Sequence, residues 1–261
     1  MIESLHSPHV GRVKALIGSR GSKERSDSGL FVAEGIQPLR EALSSQRGPG
    51  IETLYLSPAG ITRIAELDTS EVNVVEVSDA VMQAMASTVT PQGILMVCSI
   101  PSHSLADLSM TEESFVIYLD GIQDPGNAGT ILRSADAFGA RAVITSPGSV
   151  DMYSPKVVRS TAGSLWHIPL FQSLELKEVL PQLGNPECIV LSSHASESIV
   201  NFRASGPCIA IFGNEGAGTS TEQLAINART VAIPMSGQAE SLNLSAAASV
   251  VMFTLSQPSR G

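Results

Sequence analysis

The chain has 261 residues, 43% hydrophobic and 16% charged, which excludes an intrinsically disordered protein and allows one large or two small buried cores. No run approaches the ~18 unbroken apolar residues of a transmembrane helix, and the polar, proline-containing start lacks a signal peptide's apolar core. The expectation is a soluble, unexported, cytoplasmic protein, and the net charge of −9 excludes a uniformly basic surface.

In chain order, helical spacing marks 10–17, a short strand 30–33 and a second helix 36–43, with Pro38 tolerated in its first turn. Strands are expected at 53–56 and 72–77, helices near 61–67 and 79–85, and a strand-like run at 94–100. The serine-rich, acidic stretch 99–113 reads as a connector. The division that follows is 1–105, a linker at 106–113, and 114–261.

Beyond the linker the pattern alternates. Strands at 115–119, 142–145, 188–192, 208–212 and 230–233 are interleaved with helices at about 128–138, 154–162, 174–183, 221–228 and 241–255. Short apolar strands without alternation imply a sheet covered on both faces, so the second part is a mostly parallel α/β sheet. Ligands of such sheets bind beyond the carboxyl ends of the strands.

Three loops there are rich in small residues. In the first, Asn127 is a candidate N-cap, Ile131, Ala135 and Phe138 share a face, Gly139 stops the helix, and Arg133 lies off the buried stripe. In the second, Gly213, Gly216 and Gly218 surround Glu215. The GxxGxG spacing matches neither dinucleotide nor P-loop signatures, and a carboxylate would repel a phosphate. In the third, Ile233-Pro234-Met235 leaves a strand, and Ser241, Leu242 and Asn243 open an alanine-rich helix.

Charge is uneven. Residues 1–47 hold seven Lys/Arg against five Asp/Glu, whereas 48–113 hold one against nine. Arg12, Lys14, Arg20, Lys23 and Arg25 make the first 25 residues net basic, which suits either a polyanion or an ordinary solvated face. The three cysteines (Cys98, Cys188, Cys208) and five histidines show no CxxC, HxxH or HExxH spacing, so no disulfide framework and no metal are implied.

Together the segments NxGxxxRxADAFGA (127–140), GNEGxG (213–218) and IPMxGxxESLNxS (233–245) resemble the SpoU/TrmH branch of the SPOUT RNA 2′-O-methyltransferases. SPKVVRSTAGSLWHIPL (154–170) also fits. FVAEG with its following helix (31–43) resembles a ribosomal-protein-like RNA-binding domain. The resemblance implies a SPOUT α/β knot, a deep C-terminal trefoil preceded by a small α/β domain, and a homodimer that binds S-adenosylmethionine and methylates RNA. Ribosomal RNA, 23S in particular, comes ahead of transfer RNA. A non-catalytic RNA-binding assembly factor of the same fold is the alternative.

By position, the resemblance implies catalytic roles for Arg133, Asn127, Glu215, Ser241 and Asn243. Cofactor contacts fall to Gly213, Ile233 and Leu242, with Ser193, His194, Phe212, Asn214 and Met235 nearby. RNA contacts fall to the basic N-terminal residues and Arg159. Arg133 is the family's general base by analogy, but deprotonating an ordinary guanidinium at pH 7 costs about 7.5 kcal/mol. A phosphate clamp is the alternative.

Overall fold

The computed structural model describes residues 1–192, 195–213 and 228–257. The chain divides into two compact units, Met1–Ser102 with Asp151–His167, and His103–Val150 with Ile168–Gly261.

The first unit runs α1 (Pro8–Ile17), α2 (Gly21–Ser28), β1 (Leu30–Glu34), α3 (Ile36–Ser44), β2 (Ile51–Leu56), α4 (Pro58–Arg63), β3 (Val74–Glu76), α5 (Asp79–Met85) and β4 (Ile94–Ser99). Its sheet has the order β1-β4-β2-β3. β4 pairs antiparallel with β1 and β2, and β3 is parallel to β2. One face carries Val32, Tyr55, Leu95 and Val97 against Val10, Val13 and Leu16 of α1 and Val81, Met82 and Met85 of α5. Successive strand residues face opposite ways, so Phe31 serves the other face. There its ring meets those of Tyr153 and Trp166, with centroids 4.9 and 6.1 Å apart. Burial on both faces explains why β1 shows no alternation.

The partner rings come from Asp151–His167, which the sequence division assigns to the second domain. The segment holds α7 (Pro155–Ser160) and a 3₁₀ turn, Ser164–Trp166. The expected connector differs as well. Leu105, in a 3₁₀ turn, is buried in the second unit's core, with Leu108 and Met110 packed against it. α2 escaped the sequence reading because GSKERSDS has no apolar stripe. It ends on Gly29 in the left-handed region (φ 67°).

The second unit contains β5 (Phe115–Leu119), α6 (Pro125–Ala137), β6 (Val143–Thr145), β7 (Leu170–Phe171), α8 (Leu176–Gln182), β8 (Glu187–Leu191), β9 (Cys208–Phe212), β10 (Arg229–Val231) and α9 (Leu244–Leu255). The expected strands stand within two residues of their predicted bounds, and only the two-residue β7 is new. The expected helix 221–228 lies outside the described residues but for Ala228. The sheet order is β10-β8-β9-β5-β6-β7, with every neighbour parallel. Its carboxyl edge is where β5 and β9 end together, Leu119 opposite Phe212. Among the described residues, no helix is long and apolar enough to cross a membrane.

Candidate functional site

The loop leaving β5 is braced before α6 begins. Gly121 donates its N–H to Ser146 Oγ at 2.8 Å, and Val150 N–H reaches the Ile122 carbonyl at 2.7 Å. Gln123 Nε2 donates to the Gly148 carbonyl at 2.8 Å. The Asp120 N–H binds the Phe212 carbonyl at 2.8 Å, tying this loop to the end of β9, where Gly213 follows.

The α6 N-cap is Asp124, not Asn127. Its Oδ1 accepts the Asn127 N–H at 2.7 Å, and Pro125 occupies the first helical position. Asp-Pro is the better N-cap signal, because the proline has no N–H to satisfy and its φ suits a helix start. Gly139 ends the helix as expected, at φ 75°, with Gly139 N–H on the Asp136 carbonyl and Ala140 N–H on that of Ala135.

Asn127, released from capping, accepts from Asn243 Nδ2 at 3.1 Å. Asn243 is the N-cap of α9, and its Oδ1 accepts from Ser245 N–H at 2.9 Å and Ala246 N–H at 3.4 Å. Farther along, Ser134 Oγ lies 2.8 Å from Ser249 Oγ, and the rings of Phe138 and Phe253 meet edge to face at 5.9 Å. Contacts at 127/243, 134/249 and 138/253 keep nearly constant sequence separation, so α6 and α9 run parallel. Both N-termini therefore present partial positive charge at the same end.

Arg133 stands on the exposed stripe of α6 with Thr130 and Ala137. Its guanidinium makes no hydrogen bond or ion pair to any described residue. Ser241 and Leu242, next to Asn243, are exposed. Met235 and Leu242 are each 41% exposed on the crossing between β10 and α9, while Ile233 is half-buried and Phe212 buried. Ser193, His194, Asn214 and Glu215 lie outside the described residues.

The remaining expected residues all belong to the first unit. Lys14, Arg20 and Lys23 are exposed. Arg12 pairs with Glu52 at 2.6 Å. Arg159 Nη1 donates to Ser87 Oγ at 3.1 Å. Arg25 departs from its expected RNA contact. Only 5% exposed, it is engaged by the Asp151 carboxylate at 2.6 Å and by the Leu16 carbonyl. Sequence alone offers no signal for this, since a basic run looks the same whether one member turns inward or all face water.

A second charged centre lies at the amino end of the sheet. Arg229 Nη1 donates to Glu187 at 2.9 Å and Nη2 to Glu197 at 2.5 Å, and its Cζ sits 4.4 Å from the Phe202 ring centroid. Hydrogen bonds donated to Glu197 and then to Glu187 hold the guanidinium further toward its protonated form. Burial works to raise the Glu187 pKa, but the Ser205 N–H and Arg229 outweigh it and hold the carboxyl below its ordinary value. Among the described residues, no three His, Cys, Asp or Glu side chains are grouped to hold a metal ion.

The model of the SpoU rRNA Methylase family matches residues 114–253, more than half of the chain. The chain belongs to this family. Residues 10–96 match the MRM3-like substrate binding domain. The 23S rRNA (guanosine(2553)-2′-O)-methyltransferase RlmP of Bacillus subtilis is 33% identical over 236 residues, covering 89% of this chain and 91% of that one. The 23S rRNA (uridine(2479)-2′-O)-methyltransferase of Streptomyces viridochromogenes is 30% identical, covering 92% and 86%. Family membership extends to the solved folds. The AdoMet-bound rRNA methyltransferase from Sinorhizobium meliloti superposes with a TM-score of 0.83 at 29% identity over 97% of this chain and 96% of that one. The SpoU methyltransferase AviRb from Streptomyces viridochromogenes, in complex with AdoMet, gives 0.84 at 25% identity over 96% and 97%.

Proposed function

We propose that this chain is an S-adenosylmethionine-dependent methyltransferase acting on a ribose 2′-hydroxyl of ribosomal RNA, 23S ahead of transfer RNA. The observation that carries the reading is the Asn243–Asn127 hydrogen bond, which joins two family motifs at the paired N-termini of α6 and α9. The names of the 23S-modifying relatives and the match of residues 10–96 to a substrate-binding domain support it.

The residues present fit the cofactor. Gly213 leaves β9 without a side chain, and Ile233, Met235 and Leu242 offer apolar, uncharged surface suited to a sulfonium and an adenine. Phe212 is buried at the end of β9, and it joins Ser193, His194 and Asn214 in the set by family position. When bound, the cofactor supplies a methyl group on a cationic sulfur. The chain's own task is positioning, worth up to roughly 7–11 kcal/mol in good geometry.

Arg133 grips the phosphate beside the target ribose and orients the hydroxyl, whose proton passes to solvent. Support comes from its exposed guanidinium, which has no partner among the described residues, and from the cost of deprotonating an arginine. Asn127 and Asn243 tie the starts of α6 and α9 together, with Ser241 and Glu215 bracing the crossings. Lys14, Arg20, Lys23 and Arg159 contact RNA, and Arg12 does so from its pair with Glu52.

The chain works as a knotted homodimer in the cytoplasm. The knot is carried over from the family resemblance. Dimerisation is supported by α9, which leaves Val250 37% and Phe253 53% exposed. Phe253→Glu is expected to yield monomers by light scattering, and an unchanged dimer would remove that face from the interface. A reducing cytoplasm suits the buried free thiols of Cys98, Cys188 and Cys208.

The test is transfer of labelled methyl from S-adenosylmethionine to 23S rRNA, followed by mass-spectrometric mapping of the modified ribose. Absence of cofactor binding in calorimetry would instead favour the assembly-factor reading.

A further inference from the structure

We infer that Arg25 and Asp151 are a positioning pair for the RNA substrate, coupling RNA held on the first unit to methyl transfer. The inference rests on the RNA methyltransferase reading. Arg25 belongs to the stretch matching a substrate-binding domain, and Asp151 to the stretch matching the methylase family. Yet both lie in one compact unit. Residues 151–167 leave the catalytic chain after β6, pack with the substrate-binding residues and return before β7.

The contact is built for direction rather than adhesion. Arg25 Nε and Nη2 donate to Asp151 Oδ2 at 2.8 and 2.6 Å, with only 6% and 19% of the two side chains exposed. Arg25 Nη1 donates to the Leu16 carbonyl at the end of α1, and Asp151 Oδ1 accepts the Tyr153 N–H at 2.9 Å. Each charge thus has partners on its own side as well as across. Adhesion has other sources. Tyr153 and Trp166 cover Phe31, Trp166 Nε1 donates to the Pro49 carbonyl at 2.9 Å, and Ser45 Oγ donates to the Trp166 carbonyl at 2.9 Å. Gly163, at φ 102°, presses so close to Glu41 that a Cβ would meet its Cγ at 2.5 Å.

A buried ion pair contributes little net stability beside an apolar replacement, and in some proteins it serves instead to fix one arrangement. The apolar contacts do not require a guanidinium at 25, and its assigned role is to seat the 151–167 excursion. The pair therefore acts on RNA through the excursion, touching neither RNA nor cofactor.

The test uses the full chain. The variants are Arg25→Met, Asp151→Asn, which keeps the side chain's shape and an acceptor, and the double Arg25→Met/Asp151→Leu, which removes both charges. KM and kcat are measured on full 23S transcript and on a short fragment carrying the mapped methylation site, with cofactor Kd from calorimetry. For the single variants, KM for the transcript should rise about tenfold, with cofactor Kd and kcat/KM on the fragment unchanged. The double variant should retain the wild-type melting midpoint but not the transcript KM. Wild-type KM in the folded double variant, or equal losses on both RNAs, overturns the coupling. If Arg25→Met fails to fold, Asp151→Asn and the double variant are read by the same criteria. A wild-type chain inert on every RNA overturns the underlying activity and this coupling with it.

Discussion

Two arginines of the second unit are handled in opposite ways. At the amino end of the six-stranded sheet, Arg229 is held by Glu187, Glu197 and the face of Phe202. On α6, the helix that follows β5, Arg133 stands exposed with no partner among the described residues. The first is held by three described residues, and the second meets none of them. The same contrast recurs in the first unit, where Arg25 is buried on Asp151 while Lys14, Arg20 and Lys23 face water. A cation's sequence neighbourhood does not tell which kind it is. Its partners do.

The contrast is sharpest at Arg133. Arg133→Ala should lower kcat by about two to three orders of magnitude while leaving cofactor Kd unchanged. The wild-type rate should be flat from pH 6 to 10 when methyl transfer is limiting. A rate rising tenfold per pH unit would make Arg133 a base rather than a clamp.

Next in size is the junction of the two helices. Asn243→Ala removes the cap of α9 and the link to Asn127 together. We expect a loss of about 1 kcal/mol in unfolding stability, read by denaturant titration, with a fall in methyl transfer of about tenfold.

At the amino end the expected effect is on stability alone. Arg229→Met should lower the melting midpoint by about 2–4 °C with methyl transfer intact, a modest figure because the pair is 40% and 20% exposed and solvent screens it. The sign of its pH dependence follows from Glu187, whose native pKa lies below the ordinary 4.5. The stability that the ionised carboxylate contributes is fully present above that value and is lost as pH falls through the native one. Glu187→Gln should therefore flatten the acid limb of the melting curve, and an unchanged limb would mean the contact contributes nothing.

The smallest effect belongs to the exposed cations. Replacing Lys14, Arg20 or Lys23 singly by alanine should weaken RNA binding a few-fold and reduce the salt slope of the affinity by about one each. Arg25 is expected to break this rule, its variants leaving the salt slope unchanged.

Much of this was legible beforehand. The strands β5 and β9 carry their bounds in unbroken apolar runs, because a strand covered on both faces must be apolar throughout. Gly139 announced the end of α6 because few other residues take its positive φ. The misreadings have physical causes too. Asn127 looked like a cap because capping is a preference of residue type, and Asp124 three residues earlier met the same need with a proline behind it. α2 has no hydrophobic period, being held instead by an inward arginine.

The sequence by itself determined the alternation of strands and helices and the family. These rest on local chemistry: apolar runs, small residues at crossings, polar caps. Only the tertiary structure decided that Asn243 meets Asn127, that residues 151–167 cover the far face of the first sheet, and which arginines are satisfied. The first two depend on partners more than a hundred residues away, and Arg229 depends on carboxylates 32 and 42 residues off, so no local pattern in the chain records where its separated segments meet.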